Sequence, residues 1–374
     1  MGPRTTPRMT DVAEPSPDRT VHLLVVADRD RIAASDAAPT SLSTRIAVLR
    51  DLGAEVTTAD ASLMSAIRAG IALRRRDPAA DAIVEAHLAR PSIPAWLAAR
   101  LSGAPLVLHL GDAGFVDGSP TGRLGGSAGF ALRQASLIVT TSRSAAGALT
   151  TRMPELAGRV VIEPQGVEIE RFRHETAHLG ADGASAPPPV AVEHRRTGIV
   201  FVGPLTAGSG VDLLLDAVGR IEADGRPHVT IIGGGADLDA LRSQAERLEV
   251  GATWQSDGAP DRIVHALRSA AIVVIPPRTG QDTTVAIQAM AAGAVVVASA
   301  AGALREIVDD GRNGILVEPG DPAALASGIR RAQIVARGDD RLRLMRTAAA
   351  ATATEHDVHA IARRALSRYR SLGG

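Results

Sequence analysis

Residues Ala271 to Ala324 read AIVVIPPRTGQDTTVAIQAMAAGAVVVASAAGALREIVDDGRNGILVEPGDPAA. The run Ile272 to Ile275 has the length of a buried strand, and Pro276-Pro277 ends it because proline cannot donate to a ladder. A polar loop then leads into a helix of small and apolar residues, predicted over Thr284 to Ala292, which Gly293 closes. Val295 to Ala298 is the next buried strand. A short helix around Ala303 to Asp309 and a last strand, Gly314 to Val317, follow. Unbroken apolar strands separated by helices predict a parallel β-α-β sheet. In that geometry the backbone N–H groups of Thr283, Thr284 and Val285 begin a helix and point at an anionic ligand.

The same rhythm runs outward from this stretch. Ile199 to Val202, Val229 to Ile232 and Ala252 to Gln255 read as strands of the same domain. In the first half, Val21 to Ala27, Ala54 to Thr57, Ala82 to Ala86, Leu106 to Leu110, Leu137 to Thr140 and Val160 to Glu163 read as strands. Helices are predicted there over Ser43 to Gly53, from Ser62 to Arg76 and over Ile93 to Leu101. Thr176 to Arg196 changes character, with Pro187-Pro188-Pro189 among small residues, and reads as a linker. The expected fold class is therefore α/β, with two Rossmann-like doubly wound domains facing across a cleft. Residues 21–175 form the first domain and 197–355 the second, with 176–196 between them. A last helix, 356–372, packs back on the first domain. Residues 1–20, rich in Pro, Thr and Asp, read as a disordered leader.

Composition narrows the function classes. The chain has 374 residues, with 41 basic and 41 acidic ones, so nothing in the balance predicts a nucleic-acid partner. Every basic residue is Arg, whose rigid fork of donors suits phosphate. Cysteine is absent, which excludes disulfides and thiol catalysis. No apolar run reaches the ~18 residues of a spanning helix. A cytoplasmic protein is expected, with peripheral contact at the inner face of a membrane left open. Arg74-Arg75-Arg76 either favours the end of its helix or faces a membrane, which would require an apolar face as well.

The wording resembles the nucleotide-sugar-dependent glycosyltransferases of family 4. Gln288-Ala289-Met290-Ala291-Ala292-Gly293 is similar to that family's Glu-Ala-Met-Ala-x-Gly, and Asp310 to Asp321 to its Asp-Gly-x-x-Gly-x-Leu-Val-x-Pro-Gly-Asp. Pro164 to Phe172 resembles the text that closes the family's first domain. Gly203 through Gly210 to Ala217 and the turn Gly233-Gly234-Gly235 resemble parts of the second, and the segment His356 to Leu372 resembles the family's terminal helix, which crosses back to the first domain. The resemblance implies retaining transfer of a sugar from a nucleotide-sugar donor, with no other cofactor and no metal. The acceptor, whether glycan, lipid or small molecule, stays unidentified.

Four site positions depart from the family pattern. The family's Arg after the first glycine and Lys before the next are Pro204 and Ser209 here, between Gly203 and Gly210. Its two glutamates are Gly280 and Gln288. Gln288 keeps an acceptor oxygen for a ribose hydroxyl, and Asp282 is the nearest carboxylate to Gly280. A departing diphosphate still needs fixed positive charge or N–H dipoles. Arg278, just before the Thr284 helix, is the candidate cation, the bland alternative being a solvated loop Arg. His109 matches the family's strand-end His, expected at the cleft against the donor sugar, and is otherwise a satisfied, partly buried His. Gly111-Asp112 is a further candidate for the acceptor side, and Arg29 and Arg31 either meet an anion or are solvated.

Remaining features read as structural. His265 and Arg268 fall on one helix face with solvent exposure expected, and Trp96 and Trp254 are expected in the core. No His, Asp or Glu cluster has metal-ligand spacing in the sequence. The eroded site positions sustain a second reading, a catalytically inactive relative that binds a ligand or partner. Epimerisation of a nucleotide sugar is a third, but the paired carboxylates it requires are not visible.

Overall fold

The computed structural model describes residues 20–28, 41–76, 81–87, 93–110, 126–173, 198–256, 258–278 and 283–373. Two six-stranded sheets, parallel throughout, organise them. The first contains β1 (Val21–Ala27), β2 (Glu55–Asp60), β3 (Asp81–His87), β4 (Leu106–Leu110), β5 (Leu137–Thr140) and β6 (Val160–Ile162), in the order β2-β1-β3-β4-β5-β6. The second contains β7 (Ile199–Val202), β8 (Val229–Ile232), β9 (Ala252–Gln255), β10 (Ile272–Ile275), β11 (Val295–Ser299) and β12 (Ile315–Val317), in the order β12-β11-β10-β7-β8-β9. These are the two Rossmann-like, doubly wound units expected from the sequence.

Strand alternation sorts the side chains onto two faces of each sheet. In the first sheet Leu24, Val26, Val84 and Leu108 face one core, covered by α2 (Leu63–Arg74), α3 (Ile93–Ser102), α4 (Gly126–Gln134) and α5 (Arg143–Arg152). Leu23, Val25, Ile83 and Val107 face the other, covered by α1 (Ser41–Asp51) and by the last helix of the chain. The second sheet is flanked on one face by α6 (Val211–Gly219), α7 (Leu238–Arg247) and α11 (Pro322–Arg337). Its other face carries α8 (Pro260–Ser269), α9 (Thr284–Ala291), α10 (Leu304–Ile307) and part of α12 (Asp339–Glu355). The chain then recrosses. The final helix, α13 (Val358–Gly373), buries Val358, Ala362, Ala365, Leu366 and Tyr369 against Val21, Leu23 and Leu49 of the first unit.

Several sequence expectations need correction. β2 continues to Asp60, past the predicted Thr57, because its polar residues lie on an edge strand that is only partly covered. Trp96 and Trp254 are half-buried and pack against the core margins rather than within them. His265 is exposed as expected, but Arg268 is half-buried and its Nη2 donates to the Arg173 carbonyl. The expected leader (1–20), apart from Thr20, and the linker (176–196) lie outside the described residues, as do Arg29, Arg31, Gly111, Asp112, Gly280 and Asp282.

Candidate active site

In the second sheet the chain runs from β7 out to β9 and then crosses back to β10 on the other side of β7. That reversal sets the carboxyl ends of β7 and β10 side by side, where open parallel sheets leave room for a ligand. The loops there meet backbone to backbone. Gly210, at φ 74°, lies so close to Pro276 that a Cβ would stand 1.9 Å from its carbonyl oxygen. Gly233, after β8, is equally tight against the Gly203 carbonyl. Any side chain at either place would force the loops apart. The loops after β7, β8 and β10 therefore pack main chain against main chain, with Gly210 and Gly233 at the contacts.

Arg278 sits on the loop after β10 and is already engaged. Its Nη1 and Nη2 donate to the two carboxylate oxygens of Asp212 at 2.8 and 2.5 Å, and Nη1 also donates to the Ala207 carbonyl at 2.5 Å. The bidentate bond holds Asp212 below the usual carboxylate range and raises Arg278 further. The solvated-Arg alternative is thus replaced by a specific pair. Asp212, in the first turn of α6, was not singled out from sequence. Pro204 is exposed, and the Ser209 hydroxyl donates to the Thr206 carbonyl at 2.6 Å, closing a short turn.

The predicted anion-facing helix begins where expected. Thr283 is buried and precedes α9, its carbonyl accepting from the Ile287 N–H at 3.0 Å. Thr284, Val285 and Gln288 are half-buried on that helix. α9 lies between β10 and β11, so its N-terminus is at the carboxyl end of the sheet.

His109 belongs to a different assembly, in the first sheet. Alternation places Glu85 and His87 of β3 and His109 of β4 on the face covered by α1 and α13, near the strands' carboxyl ends. Glu85 is fully buried. Its Oε1 accepts from Arg45 Nε at 3.0 Å and His87 Nε2 at 2.5 Å, and His109 Nε2 stands 3.1 Å away. Its Oε2 accepts from the Tyr369 hydroxyl at 2.9 Å. That hydroxyl lies 3.2 Å from both Arg45 Nη2 and His109 Nε2. Glu163, beyond β6, accepts from Arg45 and Arg368, each at 2.8 Å. The two imidazoles stack with centroids 4.1 Å apart. Both imidazoles turn Nε2 toward the Glu85 carboxylate.

Burial alone would raise Glu85, but Arg45 and His109 outweigh it and hold the carboxyl well below its usual range. Glu163 is lowered in the same way: burial opposes, and Arg45 leads the groups that prevail. Burial brings His87 down to about 4, with His109 acting in the same direction. Burial and Glu85 push Tyr369 well above its ordinary value. The fold thus assembles what sequence spacing did not show: ligand-capable atoms of Glu85, His87 and His109 within 4.8 Å of one another. A two-His, one-carboxylate set is chemically suited to zinc. Here Glu85 is already saturated by Arg45, Tyr369 and the imidazoles, and a dication would sit against a guanidinium. The residues present close a hydrogen-bond network and do not fit a resident metal.

Contacts also join the two units. Both carboxylate oxygens of Glu306, on α10, accept from the N–H groups of Arg143 and Ser144 at 2.8 Å each. The Ser142 hydroxyl takes the next N–H, of Ala145, at 3.1 Å. The first turn of α5 is therefore capped from both units.

Two six-stranded parallel sheets, the second reversing between β7 and β10, define the class of glycosyltransferases built from two Rossmann-like units. Residues 196–333 match the family model described as "Glycosyl transferases group 1". The D-inositol 3-phosphate glycosyltransferase 1 of Catenulispora acidiphila is 31% identical over 304 residues, covering 75% of this chain and 69% of the relative. The chain belongs to this glycosyltransferase family. The D-inositol 3-phosphate glycosyltransferase of Geodermatophilus obscurus is 34% identical over 190 residues, 46% of this chain and 40% of that protein. That of Streptomyces avermitilis is 30% identical over 270 residues, and the chain spans 57% of its length. Among solved structures, sucrose-phosphate synthase from Thermosynechococcus elongatus superposes with a TM-score of 0.71 at 18% identity, covering 95% of this chain and 99% of that one. Anabaena Alr3699/HepE in complex with UDP gives 0.70 at 18%, covering 94% of this chain and all of that one.

Proposed function

We propose that this protein is a retaining glycosyltransferase that moves a sugar from a nucleotide-sugar donor, with the diphosphate at the crevice between β7 and β10. The observation that carries this is the start of α9 at the reversal of the second sheet. A helix N-terminus offers N–H donors to a phosphate and needs no particular side chain. As the glycosidic bond breaks, charge grows on the leaving diphosphate, and fixed dipoles aimed there are the main source of rate. Gln288 would offer its oxygen to a ribose hydroxyl, and Arg278 would reach the diphosphate after leaving Asp212. Without a resident metal in this reading, activity should survive a chelator. A first acceptor screen should contain phosphorylated inositol, the substrate in the names of the relatives.

Calorimetry with uridine, guanosine and adenosine diphosphates tests the donor site, and nuclear magnetic resonance of the product tests the anomeric outcome. Tight binding of one nucleotide together with turnover is expected. A product of inverted anomeric configuration would refute retention, and abolition by chelator with rescue by magnesium or manganese would refute metal independence. One observation favours a second reading, a ligand-binding relative without catalysis. Pro204 and Ser209 carry no charge, and Arg278 is neutralised by Asp212. Nucleotide binding without turnover across donors and acceptors would favour that reading.

A further inference from the structure

We propose that the outer face of α2, α3 and α4 docks on an anionic lipid surface. The three helices form one layer over the first sheet. Gly70 of α2 lies so close to α3 that a Cβ there would stand 2.7 Å from the Ala98 carbonyl oxygen. Trp96 of α3 meets Phe130 of α4 edge-on at 5.0 Å.

The layer's solvent side is apolar where a water-facing surface has no need of it. Leu63 is 49% exposed, Met64 58%, Ile71 40% and Phe130 38%. On α2, Met64, Arg68 and Ile71 follow one another at helical spacing along a single stripe that continues to Arg75. Aliphatic and guanidinium groups thus alternate on one face.

Charge is one-sided. α2, α3 and α4 contain no Asp or Glu. Arg68, Arg74, Arg75 and Arg100 are exposed and form no ion pair with any described residue. Arg76 and Arg133 reach carboxylates at the margin, Glu55 and Glu155. Between Ala61 and Arg152 the carboxylates among the described residues are Asp81 and Glu85, both buried. The whole chain is balanced at 41 and 41, so this asymmetry belongs to the face and not to the composition.

Alternating Arg and aliphatic groups suit a headgroup layer. The guanidinium meets lipid phosphate while its stem and the neighbouring aliphatics enter the acyl boundary. A nucleic acid would use the arginines and leave Leu63, Met64 and Ile71 in water. No described helix is long and apolar enough to cross a membrane, so the contact is with the surface.

The test is co-sedimentation with phosphatidylcholine vesicles and with vesicles that also contain phosphatidylglycerol. Binding to the mixed vesicles alone is expected, weakening as salt rises. Arg74→Ser with Arg75→Ser should lower binding roughly fivefold per arginine. Met64→Ser with Ile71→Ser should lower it as well. Trp254→Phe keeps Trp96 as the single tryptophan, and its emission should be quenched by brominated lipid. The reciprocal Trp96→Phe chain should not be quenched. Melting curves check that the variants fold, and the quenching result, read on folded tryptophan variants, does not depend on the serine variants. No binding to mixed vesicles, or binding that survives both double variants, overturns the proposal. So does quenching of Trp254 alone, tighter binding to duplex DNA than to the vesicles, or a dimer that Met64→Ser with Ile71→Ser converts to monomer.

Discussion

Asp212 and Arg278 hold each other through two short bonds at the rim of the crevice, and this pair governs what the crevice can bind. Both side chains are more than a third exposed, so the pair adds only about 0–1 kcal/mol to stability. Its weight falls on ligand affinity. If Arg278 turns to a diphosphate, Arg278→Ala should lower nucleotide affinity about tenfold or more, since a charge-assisted bond is worth roughly 1.5–3 kcal/mol. Asp212→Asn should raise affinity by releasing the guanidinium. Titration calorimetry of both variants, with melting curves as control, checks the pair; equal affinity in parent and Arg278→Ala would assign Arg278 to the loop alone. A second residue-scale effect concerns His87. The folded state holds it neutral down to about 4, whereas an unfolded imidazole takes a proton near 6.5. The unfolded chain therefore binds more protons between those values, and stability falls as pH drops from about 6.5 toward 4, by roughly 3 kcal/mol at most. Glu85 and Glu163, both depressed, add a further loss at lower pH. His87→Gln should flatten the melting temperature across pH 4 to 6.5, read by scanning calorimetry.

Among the elements, α13 depends most on one atom. The Tyr369 hydroxyl donates to fully buried Glu85 and stands within 3.2 Å of Arg45 and His109. Tyr369→Phe keeps the ring's packing and leaves one oxygen of a buried carboxylate without its donor, so it should cost about 1–3 kcal/mol, measured by denaturant unfolding. A loss below about 0.5 kcal/mol would mean that water replaces the hydroxyl. The strands were legible because a buried parallel strand has to be an unbroken apolar run, and Ile272–Ile275 and Val295–Ser299 are such runs. α11 and α12 were not read, although Asp321 followed by Pro322 is a cap and first-turn signal. Their Ala- and Arg-rich text has few large apolar residues to mark a face. The Glu85 network was hidden for another reason: Arg45 and Tyr369 stand 324 residues apart, and no local pattern links them. What the sequence does carry is the shared parity of Asp81, Glu85 and His87, which puts all three polar residues of β3 on one face.

At the scale of the whole molecule, Glu306 ties the second unit to the start of α5 in the first. Glu306→Ala removes both acceptors and leaves the N–H groups of Arg143 and Ser144 to water. Because Glu306 is exposed, total stability should change by less than about 1 kcal/mol, while the units should separate more readily. A larger radius of gyration in small-angle scattering is expected, and an unchanged one would show that other contacts set the spacing. The sequence foresaw two parallel sheets but not this link, because a carboxylate that caps a helix in another domain looks like any surface Glu. The return of α13 has its own consequence in time. Glu85 and Tyr369 are 284 residues apart, and at roughly 5–20 residues per second a ribosome needs about 15–60 s to travel between them. Throughout that interval Leu23, Val25 and Ile83 have no α13 to cover them, and Glu85 lacks its hydroxyl donor. Within this chain, the unit whose strands are made earlier is thus completed only when α13 arrives.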